Sequence, residues 1–197
     1  MYEFFYKNYS NYIIENSKQY LIHLIPGESF KSKLDWYGER RAEAFNLLNS
    51  RSLKNDIKER DFYFSHMIIW DKKTMQLAGG QRFLFSQKGC LKNKEFSYLE
   101  EYHPGIYKKM KNDSFCEIGR TFVMPNYQNK AILKELIRGF IRIPEAKSIN
   151  IGIGLISFNH LSLSEDCINA FLNILESSRK NSLNLPDGKY LYNKKKK

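Results

Sequence analysis

Only three cysteines occur in 197 residues, Cys90, Cys116 and Cys167, and they share no close spacing. A disulfide framework or a zinc site is therefore not expected, no metal ligand set stands out, and a reducing, cytoplasmic compartment fits best. The chain has no run of about 18 apolar residues. Residues 1–12 lack the basic and then apolar plan of a secretory leader. A soluble protein is expected, at most peripheral to the inner face of a membrane. Zinc fingers and aromatic ribonucleoprotein strands are missing too, so no nucleic-acid partner is expected. Acids are in short supply: 21 Asp and Glu against 32 Lys and Arg leave a net charge of +11 and a pI near 9.4. Such a balance attracts an acidic partner, whether protein, anionic bilayer or nucleic acid, and charge alone does not choose among them.

Material for a core is ample, with 42% hydrophobic residues, 14 Phe and 13 Tyr. The length suits one domain, read as 1–180, followed by a basic tail over 181–197 that ends in Lys194–Lys197. Repeats are absent. After an unpatterned lead-in, 18–25 reads as a strand ending at Pro26-Gly27, and 35–50 as an amphipathic helix. A hairpin follows, 62–71 returning over 75–86, with Phe64, His66, Ile68 and Trp70 on one face. Residues 87–114 are polar and irregular, with a break at Pro104-Gly105 and a helical turn expected from Ile106 to Lys111; so long a connection points to function or to partial helix. Then come a strand over 115–124, a helix over 130–142 that stops before Pro144, a strand over 150–158 and a last helix capped by Ser162 or Ser164. A helix joining two strands in this way demands that they be parallel. The class is α+β.

The strand at 115–124 organises the rest. Side chains alternate along an ideal strand, so Glu117 and Arg120 point to opposite faces unless the strand kinks. Gly119 between them marks a bulge, which re-aims side chains and frees a backbone N–H for an oxyanion.

Glu117-Ile118-Gly119-Arg120 with Val123, Pro125 and Tyr127 resembles the acyl-carrier-protein-dependent branch of the GNAT acyltransferase superfamily. The nearest likeness is to the ornithine-lipid type amino-acid N-acyltransferases, also called hemolysin-like proteins, with acyl-homoserine-lactone synthases as cousins. Arg41 with Phe45, the acids Asp56 and Asp61, His66-Met67-Ile68-Ile69 with Asp71, Gly80 with Arg82, and Ser157-Phe158 are similar to further motifs in the family's order. The resemblance implies a GNAT-like fold, a mixed and mostly antiparallel sheet with two splayed parallel strands and flanking helices. It implies transfer of a 3-hydroxyacyl chain from the phosphopantetheine thioester of acyl carrier protein to the amine of ornithine or glycine.

The roles that follow are Glu117 as base, with Arg120 and His66 beside it. Arg41, Phe45, Asp56, Asp61, Arg82, Ser157 and Phe158 would hold the acceptor, and Phe122 or Val123 would give the oxyanion N–H. Gln128, Lys130 and Ala131 would open the helix that receives pantetheine phosphate. Basic residues four apart on that helix, Lys130, Lys134, Arg138 and Arg142, would face the acidic carrier protein. Rival readings are an acyl-homoserine-lactone synthase, an acetyl-CoA N-acetyltransferase, which the absence of a Gly-rich pyrophosphate turn disfavours, and a non-catalytic basic binding module. A buried structural ion network is the alternative reading of Glu117, Arg82 and Arg120.

Overall fold

A computed structural model describes residues 1–49, 53–88, 94–128, 130–149 and 151–154. Ser157, Phe158, the expected last helix and the basic tail lie outside the described residues, as does the assignment of 1–180 to one domain. In order come α1 (Tyr2–Asn8), β1 (Ile13–Asn16), β2 (Tyr20–Pro26), α2 (Leu34–Asn49), β3 (Ser65–Asp71), β4 (Gln76–Ser86), α3 (Tyr98–Tyr102), α4 (Ile106–Lys109), β5 (Phe115–Val123), α5 (Lys130–Ala146) and β6 (Ile151–Gly154). The strands lie side by side in sequence order in one six-stranded sheet. Every pair is antiparallel except β5 with β6, which the α5 crossover makes parallel, with Phe115 beside Ile151 and Ile118 beside Gly154.

Alternation along the strands feeds two cores. Leu21, Ile25, Ile68 and Trp70 face the side of α1 and α2, where Phe5, Phe30, Leu34 and Tyr37 pack on them. Ile22, Met67, Ile69 and Ile118 face the other side, against Ile132, Leu136 and Ile143 of α5. The central β4 is buried on both faces, so its sequence shows no polar alternation: Leu77–Gly80 and Phe83–Phe85 flank the buried polar pair Gln81 and Arg82. Gly80 sits where Tyr37 crosses the sheet: a Cβ there would fall 2.5 Å from the Tyr37 hydroxyl and 2.7 Å from the Met67 carbonyl oxygen.

Three expectations need correction. The unpatterned lead-in contains α1 and β1, held by tertiary contacts: the Phe5 ring lies 5.0 Å from that of Trp70 and 5.7 Å from that of Trp36. Residues 59–62 form a short 3-10 turn, and β3 starts only at Ser65. The helix expected to stop before Pro144 runs on to Ala146, because a proline in the last turn costs a single backbone bond.

Candidate active site

The bulge falls beside Gly119, at Arg120 and Thr121. Gly80 of β4 pairs with Phe122 and Arg82 pairs with Gly119, so β5 spends one extra residue between the two pairs. Arg120 takes a left-handed φ of 50° to do so. This turns the guanidinium toward Asp56 on the face that Arg82 and Glu117 share. Cross-strand partners point the same way, so Gly119 faces that side as well. Among the described residues no atom lies within 4 Å of a Cβ built on it. Apart from its chain neighbours, the described residues leave the space above Gly119 open.

Around that space the charged residues form a chain. Arg41, on the buried face of α2, donates from Nε to Asp56 at 2.6 Å and from Nη1 and Nη2 to the two oxygens of Asp61 at 3.0 and 3.1 Å. It also bonds the Asp56 carbonyl oxygen. Arg82 Nη1 donates to Asp61 Oδ1 at 2.7 Å, and Arg120 Nη2 lies 3.3 Å from Asp56 Oδ1. The order is Arg120, Asp56, Arg41, Asp61, Arg82. The turn after α2 presents both acids, Asn55 Oδ1 accepting from the Ile57 N–H and Asp61 Oδ2 from the Lys58 N–H. Burial would raise the Asp61 pKa, but the Arg41 and Arg82 guanidiniums overcome it and hold the carboxyl well below the usual range. Three guanidiniums against two carboxylates leave one positive charge. Nε and Nη2 of Arg82, in a side chain only 1% exposed, make no hydrogen bond. A buried cation with unspent donors is a seat for an anion.

Glu117 lies under α3. Its carboxylate accepts from Ser97 Oγ at 2.5 Å, from the Tyr98 N–H at 3.0 Å and from the Leu99 N–H at 3.5 Å, and the residue is 2% exposed. It therefore holds the start of α3 against the sheet. His66 is fully buried between the rings of Phe30 and Tyr37, and its Nε2 donates to the Asp61 carbonyl oxygen at 2.8 Å. Burial lowers its pKa to about 4, although Asp61 opposes the shift, so the ring is neutral and buttresses Asp61. Phe45 is half-buried, with its ring 5.6 Å from the Arg120 guanidinium and 6.3 Å from the ring of Phe122. Phe122 packs into the core; Val123 pairs with Gly79; Gln128, Lys130 and Ala131 stand at the entry to α5. Lys134, Arg138 and Arg142 are exposed on α5, Arg138 also meeting Glu135 at 2.5 Å.

Sequence reasoning missed Tyr98. Its ring lies under two guanidiniums, with Arg60 at 3.8 Å and Arg82 at 4.9 Å from the centroid. Burial would raise the phenol's pKa, but the charges of Arg82 and Arg120 outweigh it and lower it. Ser97-Tyr98-Leu99-Glu100, a helix N-cap with an acid three residues on, was the signal in the sequence: Ser97 Oγ accepts from the Glu100 N–H at 3.1 Å. No group of His, Cys, Asp or Glu able to hold a metal occurs among the described residues. No helix there is long and apolar enough to cross a membrane.

Residues 41–138 match the family model of the acetyltransferase (GNAT) domain. No curated protein matches the sequence. Among solved structures the chain is similar in fold to the AHL synthase LasI, at 13% identity over 82% of this chain and 79% of that one with a TM-score of 0.51. An integron cassette protein from V. cholerae (9% identity, 88% and 91% covered, TM-score 0.48) and an aminoglycoside acetyltransferase from an uncultured soil metagenomic sample (11%, 89% and 97%, 0.47) are also similar. The fold is that of GNAT proteins, which draw acyl groups from thioesters. The match of residues 41–138 to the acetyltransferase (GNAT) domain supports an amide-forming acyltransferase.

Proposed function

We propose that this protein moves a long 3-hydroxyacyl chain from acyl carrier protein to the amine of an amino acid such as ornithine or glycine, the first step in making an aminolipid. The observation that carries the reading is the charged chain that ends in Arg82 and Arg120. It retains one positive charge, and Arg82 holds unspent buried donors next to the open space above Gly119. A carboxylate placed there would neutralise the excess and accept both N–H groups in a bidentate grip. Its own amine would then lie over β5 beside the parallel β6, and the thioester arm would approach along these two strands.

The donor half of the reading rests on α5. Lys134, Arg138 and Arg142 form an exposed basic stripe beside Leu133, Ile137 and Ile141, which are 49%, 53% and 58% exposed. An acidic carrier protein complements such a surface in charge and in apolar contact. The match to an acetyltransferase domain makes acetyl-CoA the second donor to test.

The test is a reconstitution with long-chain 3-hydroxyacyl carrier protein or acetyl-CoA as donor and ornithine, glycine or putrescine as acceptor, the amide being detected by mass spectrometry. Acylation of ornithine or glycine from the carrier protein, with putrescine inert, is expected. Acylation from acetyl-CoA alone would overturn the donor, and equal use of putrescine would overturn the carboxylate seat.

A further inference from the structure

We infer that the Tyr98 phenol is the proton acceptor for the incoming ammonium, placed by Arg82 and Arg120 over the open face of Gly119. The inference rests on the acceptor reading above.

Arg82 stands directly across the ladder from Gly119, and Arg120 follows Gly119 on β5. The Tyr98 ring lies 4.9 Å from the Arg82 guanidinium, so the phenol borders the open face of Gly119. The ring is held on three sides. Arg60 covers one face at 3.8 Å and is itself fixed to Glu101 at 2.8 Å; Arg82 lies at 4.9 Å; the ring of Tyr102 stacks at 6.5 Å. From below, Glu117 takes the Tyr98 backbone N–H. Asp61 and Asp56 stand behind Arg82 and Arg120 and face those cations. The groups meeting the phenol itself are thus cationic, which favours phenolate, and its pKa is lowered accordingly. Glu117 is 2% exposed and already accepts three donors beneath α3, and His66 lies behind Asp61.

Phenolate takes one proton from the ammonium, and the freed nitrogen pair attacks the thioester carbon. The C–N bond forms, the C–S bond breaks, and the sulfur leaves with its electron pair. The second nitrogen proton goes to the thiolate, and Tyr98 returns its proton to water. An acceptor amine has a pKa near that of a tyrosine, so the transfer is close to even in free energy.

The experiment compares wild type with Tyr98→Phe, which keeps the ring beneath Arg60 and Arg82. Ornithine acylation from a 3-hydroxyacyl carrier protein is followed from about pH 7 to about pH 10, where the amine loses its proton unaided. The variant is expected to melt with wild type and to lose about 10²-fold or more of the rate near pH 7. The deficit should close as pH rises. In parallel, the difference in phenolate absorbance between the two proteins should show a tyrosine ionising below an ordinary phenol. A deficit that is constant with pH, or no deficit, overturns the inference. If wild type acylates nothing, the functional reading fails instead, and the absorbance titration still decides whether Tyr98 is the acidic phenol.

Discussion

Asp61 Oδ1 accepts from Arg82 Nη1 at 2.7 Å while the same carboxylate is gripped by Arg41, so one fully buried acid couples α2 to the central strand. Removing it leaves two buried guanidiniums short of a counter-charge. Asp61→Ala should cost about 3–5 kcal/mol, read from chemical denaturation. A loss below about 1 kcal/mol would mean that the network carries no structural weight.

Arg120 separates function from stability. It is the end of the chain, its side chain 33% exposed, and it holds a left-handed φ. Arg120→Gly relieves about 1 kcal/mol of backbone strain, partly offset by glycine's entropy. Stability should stay level or rise, while KM for the amino-acid acceptor rises roughly 10-fold or more as a charged hydrogen-bond partner is lost. An unchanged KM would take Arg120 out of the acceptor seat.

Gly119 gives a steric test. A Cβ meets nothing among the described residues, and no positive φ is involved, so Gly119→Ala should fold and melt as wild type does. The methyl group would stand where the acceptor is proposed to bind. Acylation should fall by about 10-fold or more, and full activity would place the substrate elsewhere.

Acid should weaken the fold in two stages. Burial lowers His66 and His23 to about 4 each, so the unfolded chain binds more protons between about pH 6.5 and pH 4. The stability given by these neutral rings is complete above about pH 6.5 and is lost as pH falls through that window, by at most about 1.4 kcal/mol per pH unit for each. Asp61, with a depressed pKa, then gives up its contribution below about pH 4. Denaturation midpoints across pH, in wild type and in His23→Phe, check the first stage: the variant should lose part of the slope.

Glu117→Ala should untie α3 as well as change the site. Ser97→Ala removes one of the same bonds and keeps the carboxylate. Both variants should speed amide exchange over 98–102, the alanine at 117 more so. Equal exchange in wild type and Glu117→Ala would contradict the anchoring of α3.

The strand and the hairpin were legible because alternation and turns are local, and the acids at 56 and 61 stood out through the family resemblance. The need for a kink between Glu117 and Arg120 was legible too, since an ideal strand sets them on opposite faces. Its place was not: glycine suggested 119, yet the ladder opens at Arg120, where Asp56, far away in sequence, draws the guanidinium across. Tyr98 escaped notice because its partners, Arg60, Arg82 and Arg120, come from three distant stretches. The α1 helix has no periodic stripe of its own and is specified by the aromatic pocket that receives Phe5.

The most direct measurement of the central claim is a mass spectrum of lipid extracts from cells making wild type or Arg82→Gln, in a host that supplies acyl carrier protein and free amino acids. A new acylated amino acid is expected with wild type, with its level falling sharply in the variant. No such lipid from folded wild-type protein would contradict the account.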